Sequence, residues 1–378
     1  MIVILDKKDC SGCGACSNIC PHNCISMYYD EEGFLYPKVD IEKCIDCHLC
    51  EKICPLKKPL QSIRKPLDIK AAINENEAIR LQSSSGGIFS LLADYVLDSG
   101  GVVIGASYTE DWNVEHIVVS SKTELKQLRG SKYVQSQTKN IFKQVLKLLL
   151  EGKLVLFSGT PCQISGLKSF LNKEYDNLIT IEIFCHGVPS TLVYKKYIKE
   201  ICKGEPISHV NMRAKPEGWK QYHFAINNYS VSWRNDLYMK AFVENLTLRP
   251  SCYNCKHKDG RSGSDIGLGD FWGVKAKHKE LDDDKGLSLI FLYSEKGKSI
   301  LEKIASIKSN RIEYDEAIIY NKGVSGIIQP HKKRNVFFKK LNTTKSVIGL
   351  LEKSFRLPMW KRYKYILATW IYKIIHKP

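Results

Sequence analysis

Apolar and polar positions follow two different rhythms along the chain. In the first sixty residues the apolar bursts are short. Ile25-Ser26-Met27-Tyr28 and Phe34-Leu35-Tyr36-Pro37-Lys38-Val39 alternate with period two and predict a strand pair. From residue 69 onward, apolar runs at 69–73, 101–107, 115–119, 154–158 and 178–184 predict strands, and 88–97, 138–150, 164–171 and 193–201 carry apolar residues at helical spacing. That alternation predicts an α/β body. The polar, proline-bearing stretch 61–68 separates the two rhythms and reads as a linker. Near the end, Trp360, Tyr363, Leu367, Trp370, Ile371 and Ile374 fall on one helical stripe. The predicted organisation is therefore α+β and α/β: a small domain over 1–60, a linker over 61–68, a larger α/β domain over 69–330 and a basic helical segment over 331–378.

Charge sharpens this division. The chain has 378 residues and a formal net charge of +17, yet residues 1–60 hold 7 Lys/Arg against 9 Asp/Glu. The excess lies in the rest, and 331–378 hold 13 basic residues against the single acid Glu352. With 43% hydrophobic residues the chain can bury a sizeable core and is not a disordered tail. No apolar run approaches the ~20 residues that span a bilayer. The opening Ile2-Val3-Ile4-Leu5 is too short for a secretory signal, so the cytoplasm is the expected compartment. Two readings of the basic tail stay open: a helix docked on the core or a partner, or an amphipathic helix touching the inner membrane face peripherally. Nucleic acid would accept the charge, but no recognition motif supports it, so no specific nucleic acid is expected.

Fourteen cysteines in a chain without an export signal point to metal or redox chemistry rather than a disulfide framework. Two copies of one spacing stand out: Cys10-x-x-Cys13-x-x-Cys16-x-x-x-Cys20-Pro21 and Cys44-x-x-Cys47-x-x-Cys50-x-x-x-Cys54-Pro55. This is the run of a bacterial two-cluster ferredoxin, in which the fourth cysteine ligates the other cluster. One 4Fe–4S cluster is thus assigned to Cys10, Cys13, Cys16 and Cys54, the second to Cys44, Cys47, Cys50 and Cys20. Gly12 and Gly14 suit a loop that turns with positive φ close to sulfide. Zinc, which prefers paired Cys-x-x-Cys knuckles, fits these runs less well. Cys24 lies outside both and reads as a small buried hydrophobe.

Three strand-to-helix junctions in the body suit cofactor binding. Ser83-Ser84-Ser85-Gly86-Gly87 precedes a predicted helix whose free N–H groups can hold phosphate, although an ordinary helix cap explains it equally. Arg129-Gly130-Ser131-Lys132-Tyr133 offers cations, a hydroxyl and an aromatic to a nucleotide or flavin, or else is a solvated loop. In Gly159-Thr160-Pro161-Cys162-Gln163 the thiol sits at a helix N-terminus, and Cys185-His186-Gly187 ends the next strand. Neighbouring parallel strands bring such loops to one crevice. With Cys252-x-x-Cys255 these thiols complete four ligands, for a third 4Fe–4S cluster, a structural zinc, or a redox thiol beside a reversible disulfide. Single-electron clusters feeding a two-electron substrate call for a flavin between them.

From Ser83 onward the chain resembles the beta-subunit family of coenzyme F(420) hydrogenases and dehydrogenases. The resemblance rests on Ser84-Ser85-Gly86-Gly87, Arg129-Gly130-Ser131-Lys132-Tyr133, Gly159-Thr160-Pro161-Cys162-Gln163, Cys185-His186-Gly187, Met212-Arg213 with Gly218-Trp219, and Cys252-x-x-Cys255 leading into Gly267-x-Gly269-Asp270. It implies FAD and a proximal cluster held by Cys162, Cys185, Cys252 and Cys255. Ser84, Ser85, Gly86 and Gly87 would meet the FAD phosphates, Arg129 and Ser131 stand in the same set, and Lys132 and Tyr133 would lie nearer the ring. Arg213, Lys215 and Trp219 are candidates for the coenzyme or substrate mouth. The implied activity is a flavin-dependent iron–sulfur oxidoreductase acting on coenzyme F(420) or another small organic substrate. The alternative is a non-catalytic electron-transfer subunit docking on a redox partner enzyme, by analogy in cell-surface polysaccharide synthesis.

Overall fold

A computed structural model of the chain describes residues 1–321, 323–325 and 327–356. The aromatic stripe expected over 358–376 lies outside the described residues.

The first domain is small because its sulfurs, rather than a large apolar core, organise it. Helix α1 (Ala15–Ile19) follows the first cysteine loop, β1 (Ile25–Tyr29) and β2 (Leu35–Val39) pair antiparallel with Ile25 opposite Val39, and α2 (Leu49–Lys52) follows the second loop. The turn between the strands is tied by Asp30, whose side chain accepts from the Glu32 and Phe34 N–H groups. Residues 61–67 then run along the body, with Arg64 N–H donating to Asp259 and Leu67 N–H to Leu292.

The body is built on β3 (Asp68–Asn74), β4 (Val102–Tyr108), β5 (Val114–Val119), β6 (Ser136–Gln137), β7 (Val155–Gly159) and β8 (Leu178–Ile183), with β9 (Val210–Ala214), β10 (His223–Ile226) and β11 (Tyr229–Ser232) forming a separate three-stranded sheet. Further on, β12 (Ile266–Asp270), β13 (Ser288–Leu292) and β14 (Ile307–Arg311) complete a nine-stranded sheet of order β14-β3-β13-β12-β8-β7-β4-β5-β6. Its centre, β4-β7-β8-β12, is parallel. Both flanks turn antiparallel, through β5 on one side and β13, β3 and β14 on the other. The β4–β5 link is a tight turn in which Trp112 N–H donates to Thr109, so no crossover helix intervenes there.

Helices α3 (Glu77–Gln82), α4 (Ile88–Asp98), α5 (Lys122–Leu125), α6 (Ile141–Leu150) and α7 (Pro161–Leu171) cover this sheet from two sides. One face buries Ile88, Leu92 and Val96 of α4 against Val103, Leu156 and Ile181. The other buries Phe142 and Val145 of α6 with Ile164, Leu167 and Phe170 of α7 against Ile104 and Phe157. Each such side chain contributes about 1.5–3 kcal/mol on leaving water. Ala15 and Ile53 of the first domain join this second layer, so the ferredoxin-like head is packed on α6 and α7.

Helices α8 (Thr191–Cys202) and α9 (Leu237–Val243) pack with the small sheet. After α10 (Val274–Lys277), α11 (Glu295–Glu302) and α12 (Tyr314–Ile318), the chain returns to them in α13 (Arg334–Leu341) and α14 (Val347–Phe355). The described part of the basic segment is thus docked on the core, burying Phe337, Phe338, Leu341, Val347 and Leu351. Phe34 of the head sits in that same cluster, and Glu32 beside it pairs with Arg334 at 2.5 Å. Two lobes of the body therefore grip one hairpin.

Candidate iron–sulfur and cofactor site

In the head, the structure gathers the cysteines as the spacing predicts. One cavity is lined by Cys10, Cys13, Cys16 and Cys54. Another is lined by Cys20, Cys44, Cys47 and Cys50, and also by Cys24. Cys24 is buried as expected, but its sulfur stands 3.3 Å from that of Cys20. Each set gathers three thiols of one loop and a fourth from the other half of the head, and Cys24 adds a fifth to the second. Among the described residues no group of three His, Cys, Asp or Glu side chains closes to the spacing of a single ion. The donor set and the void fit a cluster with four thiolate ligands.

Both loops bend through the left-handed region at equivalent places, but with different residues. Gly12 (φ 69°) and Gly14 (φ 81°) serve the first loop, Asp46 (φ 51°) and His48 (φ 58°) the second. The reason lies in what surrounds them. A Cβ on Gly12 would come within 2.6 Å of Gln135 Nε2, and one on Gly14 within 2.1 Å of Thr138 Oγ1. The second loop is open, with Cys47 and Ile45 exposed. Arg249, fully buried, completes the docking of the first loop. It donates from Nε to Cys10 O at 2.8 Å and from Nη2 to Leu35 O at 2.8 Å, with its guanidinium 4.2 Å from the Tyr36 ring centre. Thr138 adds a hydroxyl bond to Cys13 O.

The four body cysteines also meet. Thr160 caps α7 in a capping box with Gln163, placing Cys162 in the first turn. The parallel pairing of β7 and β8 puts Cys185, just past β8, alongside it. Cys252 lies in the single turn Pro250–Asn254, where its sulfur accepts from Val188 N–H at 3.3 Å, and Cys255 follows at the turn's end. Burial pushes the Cys185 thiol up to about 12 and Cys252 to about 11, and the neighbouring thiols add to the rise. Cys162 is raised by burial and then by Cys255, Cys185 and Cys252 together. Four half-buried thiols gathered from three segments fit a cationic iron core, which replaces the protons.

The two thiol sets closest along the fold share an element. A Cβ on Gly166 would lie 3.0 Å from both Cβ and Sγ of Cys13. Gly166 is four residues beyond Cys162, one helical turn or roughly 5.4 Å of rise along α7. On the other side, Arg249 binds Cys10 three residues before Cys252.

The ten residues expected at the flavin also converge. Ser84 Oγ accepts from Ser131 N–H at 2.7 Å, and Ser84 O accepts from Arg213 Nη2 at 3.1 Å. Arg213 Nη1 donates to the Tyr133 hydroxyl at 3.1 Å. Lys215 Nζ donates to Ser85 O at 3.3 Å and to Lys285 O at 2.8 Å. Arg129 Nε holds Ser90 Oγ on α4, and Lys132 Nζ reaches Arg129 O at 3.0 Å. Gly86 belongs to close packing: its Cβ would strike Ala72 O at 2.4 Å, and its N–H, bonded to Ser288 Oγ, is not free for phosphate. Gly87 precedes α4 with φ 84°. Arg213 is balanced by Asp270 at 2.7 Å, and Asp270 also accepts from Trp219 Nε1. Lys132 and Lys215 have only carbonyl partners; burial pushes them down to about 7 and about 8. Two half-buried lysines whose hydrogen bonds all go to carbonyls suit an anionic cofactor such as FAD, whose charge would favour their protonated forms.

Sequence reasoning missed Arg249, Gly166 and the pairing of Asp270 with Arg213. No local signal marks the first two; Asp270 stood in a recognised motif without an assigned partner.

Two four-cysteine sets gathered in a ferredoxin-like head, with an α/β body behind it, define an iron–sulfur electron-transfer protein. The family models place it further. Residues 9–58 match the 4Fe-4S dicluster domain. Residues 69–143 match the N-terminal part, and 152–317 the C-terminal part, of the coenzyme F420 hydrogenase/dehydrogenase beta subunit. The chain belongs to the coenzyme F420 hydrogenase/dehydrogenase beta-subunit family, with a dicluster domain at its front. An uncharacterized protein of Methanocaldococcus jannaschii is 25% identical, covering 88% of this chain and 95% of its own. The coenzyme F420-dependent sulfite reductase of the same organism is 26% identical over 56% of this chain and 33% of that protein. An F(420)H(2) dehydrogenase subunit, from Methanosarcina mazei, is 23% identical over 53% of this chain and 60% of its own length. The chain therefore spans less than two thirds of the length of each of these last two relatives. Among the described residues no helix is long and apolar enough to cross a membrane.

Proposed function

We propose that this chain is a flavin-dependent iron–sulfur oxidoreductase. Electrons pass between the two head clusters, a third cluster on Cys162, Cys185, Cys252 and Cys255, and FAD held by the 84–87, 129–133 and 213–215 segments. The domain boundaries follow: a two-cluster domain over 1–60, a linker over 61–68, the flavin and cluster body over 69–330 and a basic segment over 331–378. The observation that carries the reading is the seat of Cys13 against Gly166, one turn along the helix that begins at Cys162. That contact supports an order in which the first head cluster stands beside the third and the second cluster, near exposed Cys47, stands at the outer end.

When bound, FAD supplies the exchange between single electrons and an electron pair. The chain's own residues do the rest. Arg249 and Thr138 fix the head cluster loop against the body, Thr160 and Gln163 fix the start of α7, and Lys132 and Lys215 present positive charge to the cofactor. The two-electron partner is the deazaflavin coenzyme or another small organic molecule. The names of the relatives support this substrate class, and one of them, a dehydrogenase subunit, supports the second reading of a chain that docks on a partner enzyme. Turnover of a candidate acceptor by the purified chain with dithionite, no partner present, favours the enzyme; strict dependence on an added partner favours the subunit.

The test is an anaerobic cofactor inventory. About twelve irons and one FAD per chain are expected from three cubane clusters. Cys162→Ala should lose about four irons, with the head pair retained. Unchanged iron in that variant would sink the ligand grouping, and a wild-type chain with about eight irons or no flavin would sink the proposal.

A further inference from the structure

The turn that carries Cys252 and Cys255 continues into Lys256, His257 and Lys258. His257 is held by α7, its Nδ1 standing 3.0 Å from Ser165 Oγ. Lys258 is different. It is 3% exposed, and its Nζ has no hydrogen-bond partner among the described residues. The adjacent acid, Asp259, is already paired with Arg261 at 2.7 Å. Stripping an ammonium of water without a counter-charge costs several kcal/mol, so a bare buried lysine calls for an anion that compensates it. Its neighbourhood identifies where that anion sits: Lys258 follows Cys255 by three residues, the next residue's N–H donates to Val324 O, and a Cβ on Gly323 would lie 3.7 Å from Cys185 N, so this segment is seated beside the body thiols. Neither head cavity has a lysine or arginine in its lining.

We infer that Lys258 is the counter-cation of the third cluster, donating its ammonium N–H to a cluster or thiolate sulfur and holding that cluster's reduction potential up. This rests on the reading that Cys162, Cys185, Cys252 and Cys255 hold a cluster. A cubane with four thiolates is an anion, and the electron it accepts adds one more negative charge. A fixed cation beside it stabilises the reduced form more than the oxidised form. The electron comes from the Cys10/Cys13/Cys16/Cys54 cluster, which is oxidised as the third cluster is reduced. Lys258 takes no part in bond making.

The experiment is a redox titration of the intact, anaerobically purified chain, followed by electron paramagnetic resonance, for wild type, Lys258→Met and Lys258→Arg. Lys258→Met removes the charge and keeps the stem. In it the third cluster should titrate at a lower potential, with the head clusters unmoved. Lys258→Arg should restore most of the wild-type value. Loss of about four irons in Lys258→Met with retention in Lys258→Arg also supports the assignment, because the charge is then what keeps the anion in place. An unmoved potential in Lys258→Met with all the iron present would overturn it, as would loss of the cluster from both variants. A wild-type chain with only about eight irons overturns the cluster reading itself, and iron analysis separates that failure from the others.

Discussion

The two cysteine loops of the head share one spacing and one backbone course, yet they live in different surroundings. Gly12 and Gly14 are pressed against Gln135 and Thr138, whereas Asp46 and His48, at the matching positions, carry full side chains into open space. Cysteine spacing says that a cluster is held; the residues between the cysteines say which way it faces. The glycines mark the inner loop because contact with the body leaves no room for a Cβ. The outer loop tolerates a modest left-handed strain, on the order of 1 kcal/mol per residue, in return for side chains that can bind neighbours. His48 does so, with Nδ1 2.6 Å from Glu51.

Three measurements test the difference between the loops. The largest effect is expected on iron itself. A chelator or mild oxidant should strip the cluster beside exposed Cys47 first, in a phase of about four irons that precedes loss of the rest. Equal rates for all clusters would show that facing does not matter. Next comes Arg249→Met, which leaves the buried Cys10 and Leu35 carbonyls without their charged donor. It should destabilise the chain by about 2–4 kcal/mol in a denaturant titration and open the head to protease; a change below about 1 kcal/mol would deny Arg249 its role as anchor. Smallest is the paired exchange of Gly14→Ala and His48→Gly. The first combines a clash with Thr138 and left-handed strain and should cost roughly 2–3 kcal/mol, while the second should stay within about 1 kcal/mol of wild type. Similar costs in both would remove the distinction between the loops.

Much of this architecture was legible in the chain. Strands expected at 101–107 and 178–184 fall at Val102–Tyr108 and Leu178–Ile183, and the helix expected at 88–97 at Ile88–Asp98. Local patterning suffices there because each element buries one face. Where the reading shifts, a distant contact is responsible. The helix expected from 138 begins at Ile141 because the backbone turns through the left-handed region at Lys139 (φ 39°), beside the Thr138 hydroxyl that donates to Cys13 O, 125 residues away. The antiparallel flank of β13, β3 and β14 depends on pairings across more than two hundred residues, which no local pattern records. The same holds for Arg249, an isolated basic residue until its bond to Cys10, 239 residues upstream, is seen. Residue type pointed to the four body thiols; only the order of strands brings them into one place. Cys24 was legible as buried, but not as a neighbour of Cys20.

The separation of ligands along the chain has a consequence for biosynthesis. The last thiol of the head is Cys54 and the last of the body set is Cys255, so both head sets are complete in translation long before the body set. The body set closes only when Cys255 has emerged, and the head cannot seat on Arg249 until nearly the same moment. Nascent chains therefore pass through a long interval in which the head is whole and its inner loop is bare, the interval in which iron delivery and protection from oxygen matter most.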